Sequence, residues 1–221
     1  MTSAARKAPA QPAASSKVVR FSLASRIGHW SHALTFLVLL VTGLALVFKG
    51  IVGVSALKTF GQLHRLAAWP FTFVAFFVLL LGARKAVGAW LSSIVKFDAD
   101  DRRFLALFWR EFFGLKVNLP PQGKFNGGEK INSLLQVTGW AVMVATGWML
   151  VYKEKFPEAF PWILAIHSFC AMMLGAAALG HIYLAAGHPH SRVALSGMIS
   201  GLVPRSWARG HHKKWADGIQ D

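Results

Sequence analysis

Phe160-Pro-Trp-Ile-Leu-Ala-Ile-His167-Ser-Phe-Cys170-Ala-Met-Met-Leu-Gly175-Ala-Ala-Ala-Leu-Gly180-His181-Ile-Tyr-Leu-Ala-Ala-Gly187 runs for 28 residues without an Asp, Glu, Lys or Arg. An uncharged run of that length reads as a helix crossing a bilayer, because only helices and closed barrels satisfy the backbone in lipid. Two histidines lie within it. Imidazole is costly in hydrocarbon without a partner, so an intramembrane histidine marks a functional site. At about 1.5 Å rise per residue, His167 and His181 are ~21 Å apart along the helix. At ~100° per residue, fourteen steps return to within roughly 40° of the starting direction. One face therefore carries two deep imidazoles, one towards each membrane surface.

The rest of the 221-residue chain agrees with a membrane reading. It is 54% hydrophobic and 15% charged, with a mean hydropathy of +0.44. A soluble domain carries more charge. The net charge of +15 would suggest nucleic acid in a soluble protein. Here the basic residues flank apolar segments, which points to membrane lipid and topology instead. The single cysteine, Cys170, excludes a disulfide framework, a CxxCH attachment motif and a Cys-ligated iron–sulfur cluster; it reads as a small buried hydrophobe. Residues 1–20, rich in Ala, Ser, Pro and Lys, lack the apolar core of a signal peptide and are expected to be a disordered cytoplasmic tail.

Four spans are expected, over about 29–48, 62–82, 131–152 and 161–187, within a membrane domain of residues 21–187. The fold class is all-α, a transmembrane four-helix bundle. An even number of spans puts both termini on one side. Nineteen of the 24 Lys and Arg fall in the two terminal segments and the long middle segment, which places these in the cytoplasm. The middle segment, 83–130, alternates Trp90, Ile94, Phe97 and Phe104 with Lys96, Arg102 and Arg103, and is expected to lie against the membrane face or a partner. Residues 188–221 form a cytoplasmic C-terminal tail, where His188, His190, His211 and His212 are expected to be solvated.

Depth then pairs the histidines. His29 begins the outward-running first span and His181 ends the inward-running fourth, so both are near the inner surface. His64 and His167 are both near the outer surface. Two imidazoles at one depth on facing helices can fill both axial positions of a haem iron, leaving no site for oxygen, so such a haem moves electrons. Gly43, Gly139, Gly147, Gly175 and Gly180 could relieve crowding beside a macrocycle. Arg26 and Arg65 could each pair with a haem propionate, or serve topology and headgroup contact. His32, three residues after His29, is an alternative ligand. A haem-free anchor or transporter is the competing class.

The residues also resemble a known family, the cytochrome b (gamma) subunit of respiratory formate dehydrogenase. The resemblance rests on Arg26-Ile-Gly-His29-Trp30, Leu63-His64, Lys124-Phe-Asn-Gly-Gly-Glu-Lys130, the His167–His181 spacing, Gly180-His-Ile-Tyr183, Gly197-Met-Ile-Ser-Gly201 and Trp207-Ala-Arg-Gly-His-His-Lys-Lys-Trp215. It implies two b haems, the inner one on His29 and His181 and the outer one on His64 and His167. It implies electrons arriving from an iron–sulfur beta subunit, itself fed by a molybdenum- or tungsten-containing alpha subunit. They would leave to a quinone (menaquinone or ubiquinone) near Asn126 and Gly128. At Glu129 the family often shows Gln. A carboxylate there could deliver protons or favour the dipole of the third span. Formate oxidation itself has no catalytic residue in this chain. Di-haem cytochromes of the b561 type also serve hydrogenases, thiosulfate reductases or superoxide-driven quinone reduction, so the donor stays open at this point.

Overall fold

The computed structural model describes residues 17–77, 84–189 and 191–219. The four longest helices are α1 (Leu23–Val47), α2 (Val54–Phe77), α5 (Gly127–Val151) and α6 (Phe160–Ile182). Two shorter ones, α3 (Arg84–Val95) and α4 (Ala99–Phe112), lie between α2 and α5. The chain packs α1 along α2 and α5 along α6, and the two pairs meet through α1–α6 and α2–α5 contacts. Among the described residues, three segments are long and apolar enough to cross a membrane: Leu23–Val47, Gly127–Val151 and Phe160–Gly187. The expected second span, 62–82, runs in part outside the described residues. Its helix starts earlier than expected, at Val54, so the connection from α1 is only the short turn after Val47.

Local chemistry explains where these helices begin. Ser22 caps α1 by accepting from the Ser25 N–H at 3.2 Å. Asp98 and Asp101 form a reciprocal capping box on α4, and Asn126 and Glu129 do the same on α5. Each box satisfies two backbone donors that a helix start leaves unpaired. Inside the bundle, Phe36, Phe71 and Leu174 are buried, with Leu40, Trp140 and Cys170 packed around them. Cys170 thus sits against the core, as a small hydrophobe would. Gly139 and Gly175 set helix–helix distances rather than flanking a histidine: a Cβ at Gly139 would meet Leu174 at 2.6 Å, and one at Gly175 would meet Leu40 at 3.1 Å.

The two ends of the chain form a second small core. Strand β1 (Lys17–Val19) pairs antiparallel with β2 (Leu202–Pro204), in the register Val18 to Val203. Helices α7 (Ala194–Ser200), α8 (Arg205–His211) and α9 (Lys213–Asp217) complete it. Val18, Val203, Ala208 and Ala216 are buried, with Trp207 and Trp215 packed on them. Gly201 turns the chain into β2 with φ +87°, and a Cβ there would lie 2.8 Å from the Phe21 carbonyl oxygen. This corrects two expectations. Residues 17–20 are not part of a disordered tail; they are a strand and a buried arginine, while residues 1–16 lie outside the described residues. Nor are the C-terminal histidines all solvated: His188 is 5% and His212 1% exposed, and His190 lies outside the described residues. His212 is covered by Trp207 and Trp215, whereas His188 packs against Tyr183 and pairs through Nδ1 with Ser191 Oγ.

The amphipathic helices α3 and α4 pack on α5. The closest approach is at Gly127, where an added Cβ would come within 2.7 Å of the Asp101 carbonyl oxygen and 3.2 Å of Leu105. A backbone atom cannot move aside as a side chain can. Gly127→Ala should therefore destabilise the protein by about 1–3 kcal/mol, as overpacking does. Gly88→Ala, where nothing lies within 4 Å, should leave stability unchanged or slightly raised. Thermal unfolding of the two purified variants in detergent checks the contrast.

Candidate functional site

The four span histidines come together as two cross-helix pairs. His29 on α1 faces His181 on α6, with ring centroids 6.2 Å apart and planes at 65°. His64 on α2 faces His167 on α6, at 6.4 Å and 73°. The first pair lies at the end of the bundle that holds β1 and helices α7 to α9, and the second lies towards the two short connections. His29, His64 and His167 are half-buried and His181 is exposed, so the rings keep open faces.

That separation has a chemical meaning. With metal–nitrogen bonds of about 2 Å and a centroid about 1.1 Å behind each nitrogen, two imidazoles on opposite sides of one metal ion would put their centroids roughly 6.3 Å apart, whereas tetrahedral ligation would bring them to about 5 Å. Both pairs match the first value. Among the described residues no three His, Cys, Asp or Glu side chains cluster to hold a metal. Two imidazoles alone leave a metal underligated, so the pairs suit a group that brings its own equatorial ligands.

Hydrogen bonds fix the rings of the second pair. Thr42 Oγ1 lies 2.9 Å from His64 Nδ1, and Thr146 Oγ1 lies 2.8 Å from His167 Nδ1. Each threonine is followed by a glycine against the ring: a Cβ at Gly43 would lie 3.3 Å from His64 Cε1, and one at Gly147 3.3 Å from His167 Cε1. These two glycines do sit beside imidazoles, whereas Gly180 has nothing within 4 Å. Sequence reasoning missed the threonines, although the Thr42-Gly43 and Thr146-Gly147 repeat on two spans was visible. His32 does not join His29. Its ring stacks between Phe71, at 5.1 Å, and Phe36, at 6.4 Å.

The arginines take different positions. Arg26 donates from Nη1 to the Ile199 carbonyl at the end of α7, beside Trp30, whose Nε1 donates to the Met198 carbonyl at 3.0 Å. Its Nε is buried without a protein partner, so one donor is left for an anionic group. Arg65 is exposed. Arg20, which sequence reasoning did not single out, is 2% exposed. It donates to Glu129 Oε1 at 2.9 Å, to the Lys124 carbonyl at 3.1 Å and to His212 Nε2 at 3.0 Å. An arginine always donates, so His212 Nε2 accepts. The proton is on His212 Nδ1, which donates to the Gly123 carbonyl at 2.7 Å. Glu129 is thus tied twice, to Arg20 and to the Asn126 N–H at 2.9 Å. Asn126 Oδ1 accepts from the Glu129 N–H at 2.8 Å, which leaves only its amide N–H groups for a ligand. A Cβ at Gly128 would lie 3.3 Å from Asn126 Oδ1, so this turn is narrow. The nearby cavity of about 320 Å³, lined by Lys96, Asp101, Lys124 and Lys130, does not include Asn126 or Gly128 among its lining.

The chain belongs to the prokaryotic cytochrome b561 family, whose model matches residues 20–201. That family implies a b-type haem, and the centroid spacing of the two histidine pairs and the free donor on Arg26 fit one. The chain is 27% identical over 219 residues to the nitrate-inducible formate dehydrogenase cytochrome b556(Fdn) subunit of Escherichia coli (strain K12), covering 93% of each chain. It is 26% identical over 208 residues to the formate dehydrogenase cytochrome b556(fdo) subunit of the same strain, covering 90% of this chain and 91% of the relative. A formate dehydrogenase cytochrome b556 subunit of Haemophilus influenzae is 26% identical over 204 residues, covering 90% of this chain and 82% of the relative.

Burial, together with the Arg20 guanidinium and despite the Glu129 carboxylate, lowers the His212 imidazole to about 4. Unfolded, it titrates near 6.5. The neutral ring is the one that fits, so its contribution is complete above pH 6.5 and is lost as pH falls towards 4, on the order of 3 kcal/mol in all. Hydrogen-exchange protection of residues 202–217, corrected for intrinsic rates, should fall across that window, and His212→Asn should flatten the dependence.

Proposed function

We propose that this chain is the membrane cytochrome b subunit of a formate dehydrogenase complex, a four-span bundle with both termini in the cytoplasm that carries electrons to a quinone. The observation that supports this most is the presence of two imidazole pairs, at 6.2 and 6.4 Å, on opposite ends of the same helix α6. The relatives' names supply the donor complex. Two b-type haems, when bound, would supply one-electron relays. His64 and His167 would hold the outer one, and His29 and His181 the inner one. Arg26 and Arg65 are the residues available to propionates, Arg26 through its buried Nε.

The electron path runs from the His64–His167 end to the His29–His181 end. The donor is an iron–sulfur beta subunit on the outer side, backed by a molybdenum- or tungsten-containing alpha subunit. The acceptor is menaquinone or ubiquinone at the cytoplasmic face. There the Asn126 amide N–H₂ and the Gly128 backbone N–H would donate to a quinone carbonyl as it gains charge. Glu129 keeps Asn126 oriented through the capping box. A proton-delivering role for the Glu129 carboxylate competes with its pairing to Arg20, and replacement separates the two.

Formate should reduce the b-type absorption in membranes holding the intact complex, whereas hydrogen should not reduce it and thiosulfate should not reoxidise it; reduction by hydrogen, or reoxidation by thiosulfate, without reduction by formate would reassign the partner enzyme. Asn126→Leu should lower formate-to-quinone turnover by 10-fold or more while leaving formate-dependent haem reduction intact, because one hydrogen bond to a developing charge is worth about 2.7–4 kcal/mol. Glu129→Gln keeps the capping geometry. Unchanged turnover with a normal inner haem would remove the proton role.

A further inference from the structure

The two ends of the bundle treat their imidazoles differently. Thr42 is 4% and Thr146 8% exposed, so neither hydroxyl is solvated. A hydroxyl has one hydrogen. Thr42 Oγ1 gives its hydrogen to the Val38 carbonyl one turn back, at 2.7 Å. Thr146 Oγ1 gives its hydrogen to the Val142 carbonyl, at 2.6 Å. With that hydrogen committed, each oxygen can only accept from the ring nitrogen beside it. His64 and His167 therefore both carry their proton on Nδ1 and present Nε2 as a lone pair. Gly43 and Gly147 complete the seat, since a Cβ at either position would press on ring atom Cε1, between the two nitrogens. The arrangement is a repeat: α1 serves the ring on α2, and α5 serves the ring on α6, with Thr–His separations of 22 and 21 residues.

The other pair has no such seat. Among the described residues, the His29 and His181 rings have aromatic neighbours, Trp30 at 5.4 Å from His29 and each other, but no hydroxyl or carbonyl on a ring nitrogen. An imidazole that donates its far N–H to an oxygen becomes a more basic ligand, and a more basic ligand favours the oxidised metal.

We propose that Thr42 and Thr146 are positioning residues that hold both imidazoles of the His64–His167 pair in the Nδ1–H form and thereby keep its haem at a lower reduction potential than the haem between His29 and His181. This rests on the two-haem reading above. It gives the electron path a direction within a single chain: entry at the lower-potential end and exit at the higher-potential end beside the quinone. The chain's own hydroxyls set that slope.

Redox titration of the b-type absorption in the intact complex tests it. The component that disappears in His167→Ala is the outer one. Thr42→Val and Thr146→Val, which keep shape and remove the hydroxyl, should each raise the midpoint of that component and leave the other in place. The double variant should raise it further, and Thr→Ser at either position should restore it. If a valine variant loses the outer haem, retention in the serine variant supports the hydroxyl's role, and loss in both overturns it. An unmoved outer midpoint, or equal movement of both components, also overturns the proposal while the two haems stand. If His167→Ala removes no haem, the two-haem reading itself fails and this proposal falls with it.

Discussion

An imidazole inside an apolar helix needs partners for both ring nitrogens, and much of this structure follows from how four of them are supplied. One nitrogen of each ring in the His64–His167 pair is met by a buried threonine. The two rings face each other at a centroid separation of 6.4 Å, which suits one metal ion between them. Because both pairs include a residue of α6, that helix fixes the spacing between them, and α1 and α2 must each approach it at a different height. Gly175 permits the approach of α1, and Gly139 that of α5, where side chains would otherwise collide. Helix packing and the pairing of the imidazoles are therefore one problem with one solution, set along α6.

The second organising contact lies outside the spans. Arg20 joins the first strand, the loop before α5, the first turn of α5 and the C-terminal helices through one guanidinium. Removing one partner from such a buried group leaves the others unpaired and is costly, about 3–5 kcal/mol in comparable cases. Its position matters for function because Glu129 and Asn126 share a capping box. The docked chain ends thus brace the turn that is proposed to meet the quinone. The bracing also explains why a glutamate serves here, since a carboxylate both caps the helix and answers the arginine.

Much of this was legible in the sequence for a physical reason. Uncharged runs and histidine depth are one-dimensional quantities, and the structure sets His29 against His181 and His64 against His167, the same pairs that depth suggests. The family emerged from motif residues and is matched over 20–201. What was not legible depended on contacts between distant segments. Val18 and Val203 pair across the whole chain, and nothing local in residues 17–20 announces a strand. His212 reads as a polar tail residue until Trp207 and Trp215 close over it. The threonines were visible as a repeated Thr-Gly pair, but their meaning needed the ring opposite. Arg26 could be placed near a ligand by position, yet its bond to the Ile199 carbonyl arises from the folded tail.

The number of haems that one chain holds decides whether both imidazole pairs are ligand sites. Pyridine haemochrome quantification against protein, combined with a reduced-minus-oxidised spectrum of the purified subunit, measures this directly. Two b-type haems per chain is the expected result. One haem per chain, or no Soret absorption at all, would contradict it.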